Sequence, residues 1–194
     1  MSFLRIGTLA ALGILIAIGP GGTQPAPPLA APTQPKAAQP SDPFGEEVKL
    51  TAKTIVVVKG AATWDGAFDT LVGSFKTVLA ALAKQGIKPS GPPMTIYTAT
   101  DDTGFEFMAG FPVAEAPKAA LPPEVTVATS PAGRALKFVH RGTYDSIDAT
   151  YDKITQHFEA KKLEAGDAFV EQYLTDPLTT PEENLVLEIY MPVK

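Results

Sequence analysis

The 194-residue sequence contains no cysteine. This absence excludes disulfide bonds, thiolate zinc sites, a cysteine nucleophile and a lipidated N-terminal cysteine. The two histidines, His140 and His157, are distant from each other in the sequence and do not make a zinc site without cysteines. The sequence also lacks a nucleophile elbow, a phosphate-binding glycine loop and a dinucleotide fingerprint. We therefore expect neither a bound metal nor a cofactor.

Positive charge is scarce as well. Lysine and arginine together number 16, against 21 aspartates and glutamates, which gives a formal net charge of −5 at pH 7. A protein that binds nucleic acid generally presents a basic surface to the phosphates. The composition therefore argues against a nucleic-acid partner, while the hydrophobic content of 45% fits a globular protein.

A long uncharged apolar run occurs at the N-terminus, where residues 6–18 follow a short segment with a single positive charge at Arg5. That length fits the apolar region of a secretory signal and is short for a full membrane span. If Phe3 and Leu4 are included, a tilted and uncleaved anchor is the alternative. We expect residues 1–19 to be a signal peptide or a membrane anchor. The protein is then exported to a periplasmic or other extracytoplasmic location, and the uncleaved form is anchored to the inner membrane.

Residues 20–45 are rich in proline, alanine and glutamine, show no periodicity and contain almost no large apolar side chains. This composition predicts a disordered, partly polyproline-like tether. The folded part then begins near Phe44, and we assign residues 46–194 to one domain.

The folded part has the pattern of one unit repeated twice. In the first unit, a β-branched strand at residues 54–59 precedes a helical pattern and then a hairpin. The apolar residues that recur at helical spacing there are Trp64, Leu71, Phe75, Val78, Leu79 and Leu82. In the second unit, a strand at residues 135–142 precedes a helical pattern and two more strands, and the apolar stripe of that helix consists of Tyr144, Ile147, Tyr151, Ile154 and Phe158. The landmark Thr63-Trp64-Asp65 corresponds to Thr143-Tyr144-Asp145, and we expect Trp64 and Tyr144 to begin the two helices.

Each unit carries one amphipathic helix and three strands, so neither unit can bury both faces of a sheet alone. The pattern therefore predicts an α+β fold in which duplicated β-α-β-β units form one antiparallel sheet. We expect both helices on one face of this sheet and an open ligand groove on the other.

The stretch FVEQY, which begins at Phe169, places a carboxylate between aromatic residues in a predicted strand. Period-2 geometry puts Phe169, Glu171 and Tyr173 on one face, and Val170 and Gln172 on the other. One interpretation is that Glu171 is a solvated residue of an edge strand. The other is that Glu171 is the recognition or catalytic group of an aromatic-lined pocket.

Further aromatic residues are predicted to join Glu171 in the groove, although strand tyrosines are also common packing residues. A carboxylate on an apolar face loses hydration, which raises its pKa and strengthens its attraction to a cation. Aromatic rings around it add cation–π attraction of roughly 0.5–2 kcal/mol each. The candidate ligand-binding residues are Glu171, Tyr173, Tyr97, Trp64, Tyr144 and Tyr190.

Three motifs of the second unit resemble a known family. H-R-G-T-Y-D-S-I begins at His140, E-Q-Y-x-x-D-P begins at Glu171, and E-I-Y-M-P-V lies just before the C-terminus. Together they resemble the GyrI-like small-molecule-binding domain, also called the effector-binding domain of bacterial transcription activators. The resemblance covers roughly residues 49–194, and it is most specific in the second half.

The resemblance implies an open-faced duplicated fold whose aromatic groove binds cationic or amphipathic small molecules. It also implies that one carboxylate in the groove serves as a counter-charge, and the matching position is Glu171. Some members are implied to hydrolyse reactive cyclopropane-containing compounds with that glutamate and a nearby tyrosine, here Tyr97; others bind a partner such as gyrase. No helix-turn-helix pattern precedes the domain, so we expect no DNA-binding domain in this chain.

Three functional hypotheses remain. The first is an exported module that binds a lipophilic, cationic small molecule in the aromatic groove. The second is a hydrolase of reactive small molecules that uses Glu171 as general base or nucleophile and a tyrosine as proton donor. The third is a structural envelope protein whose groove docks a peptide. Ligand binding without turnover separates the first hypothesis from the second.

Overall fold

The structure, a computed structural model, describes residues 44–194. The predicted signal or anchor and nearly all of the predicted tether lie outside the described residues. In the described part of the chain, no helix is long and apolar enough to cross a membrane. The strands of this part are β1 (Glu46–Leu50), β2 (Thr54–Thr63), β3 (Met94–Thr100), β4 (Gly104–Pro112), β5 (Val125–Thr129), β6 (Gly133–Arg141), β7 (Phe169–Tyr173) and β8 (Val186–Pro192). The helices are α1 (Ala67–Lys84) and α2 (Asp148–Lys161), with short 3-10 turns at Tyr144–Ser146 and Glu182–Asn184.

Both helices form where apolar residues recur at helical spacing. Trp64 precedes α1, and Tyr144 lies in the 3-10 turn before α2, so neither residue belongs to the helix it was predicted to open. Gly86 follows α1 in the left-handed conformation, with φ of 67°, as a residue that ends a helix often does. The predicted apolar residues that the two helices bury are Leu71, Phe75, Val78, Leu82, Ile154 and Phe158.

The strands form one antiparallel sheet in the order β1-β6-β8-β7-β3-β4-β2-β5. The predicted α+β class, with one antiparallel sheet and two helices, is confirmed. The runs β2-α1-β3-β4 and β6-α2-β7-β8 have the same order of elements, and they meet where β3 pairs with β7. Two short strands precede these runs. β1, before the first run, pairs with β6 of the second run, and β5, before the second run, pairs with β2 of the first.

The sheet is strongly curved. Only residues 51–53 connect β1 with β2, although these strands hold the first and seventh positions of the sheet. Four Cα–Cα steps span at most about 15 Å, whereas six strand spacings in a flat sheet span about 29 Å. The two outer regions therefore approach each other. The same holds for β5 and β6, the eighth and second strands of the sheet, which are connected only by residues 130–132.

Both helices pack on the same face of the sheet. The ring of Phe75 in α1 contacts Tyr173 with centroids 5.4 Å apart, and the ring of Tyr151 in α2 contacts Phe169 at 5.6 Å. Since positions 169 and 173 of a strand point to one side, the two helices lie on that side. The opposite face carries a smaller buried cluster, which consists of Ile55, Val57, Met94, Ile96 and Val170.

The prediction that the groove opens on the face away from the helices is wrong. Glu171 points to the same side as Phe169 and Tyr173, and Tyr151 of α2 donates a hydrogen bond to it. The prediction failed because the central strands carry apolar side chains on both faces. The alternation of apolar and polar residues therefore does not show which face the helices cover. The groove lies on the helix-covered face.

Candidate functional site

Glu171 lies in the interior of the sheet. Strand β7 has β8 on one side and β3 on the other, and Glu171 is paired with Ile189 and Thr95. Only 1% of Glu171 is exposed. The interpretation of Glu171 as a solvated residue of an edge strand is therefore wrong.

Three tyrosine hydroxyls hold the carboxylate. Tyr151 donates to Oε1 at 2.7 Å, and Tyr97 donates to Oε2 at 2.9 Å. Tyr144 also donates to Oε2, at 3.4 Å, and its hydroxyl oxygen is 2.5 Å from that of Tyr97. The three rings come from β3, from the 3-10 turn before α2 and from α2 itself, so tertiary packing assembles this cage.

Burial dominates the electrostatics of Glu171. Loss of hydration raises its pKa from 4.5 to about 7, and the hydrogen bonds from the tyrosine hydroxyls oppose that rise because they favour the charged carboxylate. Burial and the nearby Glu171 together raise the pKa values of Tyr97, Tyr144 and Tyr151 well above 10. The three tyrosines therefore remain protonated hydrogen-bond donors at neutral pH.

A cavity of about 740 Å³ leads to this carboxylate. Its volume falls within the ordinary range for small-molecule sites. Phe169, stacked on Tyr97 with centroids 4.6 Å apart, forms part of its wall, and Trp64 lies at its edge. The acidic residues that line the cavity are Asp101, Asp102, Asp145, Asp148 and Glu171.

The cavity contains negative groups without positive partners in its lining. Among the described residues that line it, none is lysine, arginine or histidine. Asp101 and Asp102 come from the β3–β4 turn, Asp145 from the 3-10 turn before α2, and Asp148 from the first residue of α2, so separate parts of the chain contribute exposed carboxylates. The arrangement provides a strongly negative, partly aromatic enclosure.

Trp64 is a partly exposed wall of the cavity, with 43% of its surface accessible. Its indole N–H donates to the Asp101 carbonyl at 2.8 Å, and its ring lies 4.8 Å from that of Phe105. These contacts fix the orientation of an exposed aromatic face. The Asp101 carboxylate itself accepts hydrogen bonds from Thr103 and Gly104, which holds the turn in place.

The structure places four of the six candidate residues in this cavity: Glu171, Tyr97, Tyr144 and Trp64. Tyr173 points to the same side, but it is fully buried beside Phe75 and does not line the cavity. Its hydroxyl has no hydrogen-bond partner among the described residues.

Tyr190 lies on the face away from the helices, which corrects its predicted place beside Glu171. The antiparallel register pairs it with Val170, and paired residues point to the same side of a sheet. Its hydroxyl donates to Glu188 Oε2 at 2.5 Å, and Lys137 Nζ is 3.8 Å from Glu188 Oε1. The alternation of side chains along a strand shows which residues of that strand share a face of the sheet. Which residues of two neighbouring strands share a face depends on the register of their pairing.

Sequence reasoning missed Tyr151 and the four aspartates of the cavity as site residues. Tyr151 follows Tyr144 by seven residues, about two helical turns, and this spacing is the signal that both rings share a face. In the sequence, Asp101 and Asp102 have the pattern of a turn, and Asp145 and Asp148 have that of an early helix, where acidic residues favour the positive helix end. Nothing in the sequence indicates that the turn after β3 and the start of α2 face the same cavity.

His140 has a structural position. Its Nε2 lies 3.0 Å from the Thr143 carbonyl, to which it donates, so Nδ1 accepts from Thr150 Oγ1 at 2.9 Å. Burial lowers the pKa of His140, which favours this neutral form. The ring thus links β6 to the start of α2.

Comparison with known proteins identifies the family. The family model of the GyrI-like small molecule binding domain matches residues 46–194. The chain belongs to the GyrI-like family. It therefore contains a small-molecule-binding domain, and the family resemblance of its motifs is confirmed. No curated protein matches the chain.

Solved structures share the GyrI-like fold at low sequence identity. The crystal structure of the EcmrR C-terminal domain has a TM-score of 0.64 and 16% identity, with 77% of this chain and 96% of that chain covered. The cryo-EM structure of the EcmrR–DNA complex has a TM-score of 0.65 and 16% identity, with 77% of this chain covered, and this chain spans 57% of that one. SAV2435 bound to tetraphenylphosphonium has a TM-score of 0.52 and 17% identity, with 77% and 93% covered.

Proposed function

We propose that this GyrI-like domain binds lipophilic cations in the cavity above Glu171. The observation that carries the proposal is a carboxylate, 1% exposed, at the inner end of an acidic and aromatic cavity without a basic residue among its described lining. A buried carboxylate without a counter-charge attracts a cation strongly, because little water competes for it.

The walls of the cavity suit a cation with apolar substituents. Trp64, Phe169 and the cage tyrosines offer ring faces, and each ring adds roughly 0.5–2 kcal/mol of cation–π attraction. The exposed aspartates at two sides of the cavity raise the local concentration of positive ligands. Tetraphenylphosphonium, which SAV2435 binds, is a cation of this kind and serves as the probe.

Calorimetric titration with two ligands of the same shape and opposite charge tests the proposal. Tetraphenylphosphonium is expected to bind, and tetraphenylborate is expected not to bind, because the cavity is negative. Glu171→Gln keeps the shape and removes the charge, so it should weaken binding of the cation by roughly 1–3 kcal/mol.

Glu188→Gln is the matched control. Glu188 also accepts a hydrogen bond from a tyrosine two residues away, but it lies on the face away from the helices. The Glu188→Gln variant should therefore have the same affinity for tetraphenylphosphonium as the wild type. Equal affinities of the wild type and Glu171→Gln, or comparable binding of both probes, would contradict the proposal.

Hydrolysis of a reactive small molecule, such as a strained cyclopropane compound, is a second candidate function. The observation that favours it is a carboxyl group with a pKa of about 7 in contact with the hydroxyls of Tyr97 and Tyr144 at the end of an accessible cavity. A general base works best with a pKa near the operating pH, and a tyrosine hydroxyl can donate a proton. Wild-type turnover that disappears in Glu171→Gln would support it; stable binding without product would contradict it.

We also propose that the domain works outside the cytoplasm, through a signal peptide or membrane anchor at residues 1–19. Support comes from the apolar run and the single preceding charge at Arg5. Cell fractionation with the mass of the mature protein tests this location. A protein of full mass in the cytoplasmic fraction would contradict it.

The two β-α-β-β runs are proposed to be an internal duplication. Their identical order of elements and their meeting at the β3–β7 pair support this origin. Under duplication, Tyr97 and Glu171 lie at the junction of the two units, which is where a shared ligand would be held.

A further inference from the structure

We infer that a lipophilic cation enters this cavity in exchange for a proton held by Glu171, so that binding weakens as the medium becomes acidic. The inference rests on the proposed function, because it concerns the same ligand and the same cavity. Cation binding alone does not require this exchange, in which up to one proton is released to the solvent for each cation bound, according to the fraction of Glu171 that is protonated.

Glu171 has no positively charged neighbour among the described residues that line its cavity. The sheet neighbours of Glu171, Thr95 and Ile189, are uncharged, and α1 packs against this region through Phe75 and Phe68. The titratable groups that act on Glu171 are the tyrosines Tyr97, Tyr144, Tyr151 and Tyr173, and the other titratable residues that line its cavity are Asp101, Asp102, Asp145 and Asp148. Burial without a counter-charge among these described residues favours the protonated form of Glu171.

The tyrosine cage fits both the protonated and the ionised form of Glu171. A hydroxyl can donate or accept, so the protonated Glu171 can donate to a tyrosine oxygen that previously donated to it. The hydroxyl oxygens of Tyr97 and Tyr144 are 2.5 Å apart, and both lie within reach of Oε2. The proton therefore changes the charge of the site without requiring the rings to move. The pKa of about 7 agrees with a group that is partly protonated near neutrality.

A bound cation reverses this preference for the protonated form. A positive charge within about 4–6 Å favours the carboxylate over the carboxylic acid. The protonated site and the cation give the carboxylate–cation pair and one free proton, so charge is conserved and the buffer accepts the proton. Thermodynamic linkage then requires the affinity for the cation to fall at low pH.

Calorimetry of the full chain with tetraphenylphosphonium at pH 6.5, in buffers of different ionisation enthalpy, counts the released protons. We expect about three-quarters of a proton per cation from the wild type, and none from Glu171→Gln. The wild-type affinity should be about 30-fold weaker at pH 5.5 than at pH 8.0, while that of Glu171→Gln should change less than about twofold. Proton release near zero, or a wild-type affinity that is independent of pH, would overturn the inference.

A second pair of variants keeps the test decisive if Glu171→Gln folds poorly. Tyr151→Phe removes the hydroxyl that donates to Oε1 and should move the midpoint of the affinity profile to higher pH. Tyr190→Phe removes a hydroxyl on the opposite face and should leave the midpoint unchanged. A shift in both variants, or in neither, would overturn the inference. Absence of cation binding at every pH would instead contradict the proposed function itself.

Discussion

At the scale of single residues, Glu171 makes the stability of the domain depend on pH. Its pKa in the folded protein, about 7, lies above its ordinary value of 4.5 because of burial. Between these two values the unfolded chain has lost the proton while the folded chain retains it. The contribution of Glu171 to the free energy of unfolding is therefore greatest below about pH 4.5 and is lost as the pH rises to about 7.

Glu171→Gln should consequently be more stable than the wild type at pH 8, by up to about 3 kcal/mol, since the costly buried charge is absent. The difference should shrink toward zero below about pH 4.5, where both chains are neutral at this position. Urea denaturation of the two proteins across this pH range measures it. A difference that stays constant with pH would show that Glu171 does not titrate in this way.

Two fully buried tyrosines are expected to differ in how much stability they lose when the hydroxyl is removed. Tyr97 donates to Glu171, so Tyr97→Phe should lower the free energy of unfolding by about 1–3 kcal/mol at pH 7. The hydroxyl of Tyr173 lies near Thr95 and Glu171 but forms no hydrogen bond of ordinary geometry among the described residues, so Tyr173→Phe should change the free energy of unfolding by less than about 1 kcal/mol. Denaturant melts of Tyr97→Phe and Tyr173→Phe measure the two changes in the free energy of unfolding. Equal losses of stability in the two variants would contradict the hydrogen-bond assignment.

At the scale of elements, the close pairing of β2 with β4 holds β3, and with it Tyr97, in register. Gly110 of β4 is paired with Val57 of β2 and with Met94 of β3. A Cβ at this position would overlap the carbonyl oxygen of Val56. The strand therefore requires glycine here for space rather than for backbone conformation.

Gly110→Ala should destabilise the domain by about 1–3 kcal/mol, because the two strands would have to separate. Gly73→Ala is the matched control: Gly73 is exposed in the middle of α1, and a Cβ there meets nothing within 4 Å. It should stabilise the domain by about 0.5–1 kcal/mol. Thermal melts show whether each variant is more or less stable than the wild type. A loss of stability in Gly73→Ala as large as that in Gly110→Ala would rule out the proposed steric cause.

At the scale of the whole molecule, residues 44–194 contain the sheet, both helices and the complete described cavity. A chain shortened to these residues should unfold cooperatively with a midpoint close to that of the full chain. The reason is that residues 1–19 are predicted to be a signal peptide or membrane anchor, and residues 20–43 have too few large apolar side chains to add to a core. Scanning calorimetry measures both midpoints, and a drop of about ten degrees or more would show that the N-terminal residues contribute to stability.

Local patterns of the sequence determined several features by themselves. The alternation in Phe169–Tyr173 was sufficient to place Glu171 and Tyr173 on one face of a strand. Helical spacing was sufficient to identify Leu71 and Phe75 as buried residues of α1. These predictions succeeded because they depend on the geometry of one element, whose period is set by the backbone.

Only the tertiary structure decided which elements share the cavity. It placed the helices over Glu171, brought Tyr151 of α2 to its Oε1, and turned Tyr190 to the opposite face. It also brought Asp101 and Asp145, which are 44 positions apart in the sequence, to one cavity. The physical reason is that the face covered by a helix, the register between strands and the meeting of distant turns depend on packing between elements, which no local period encodes.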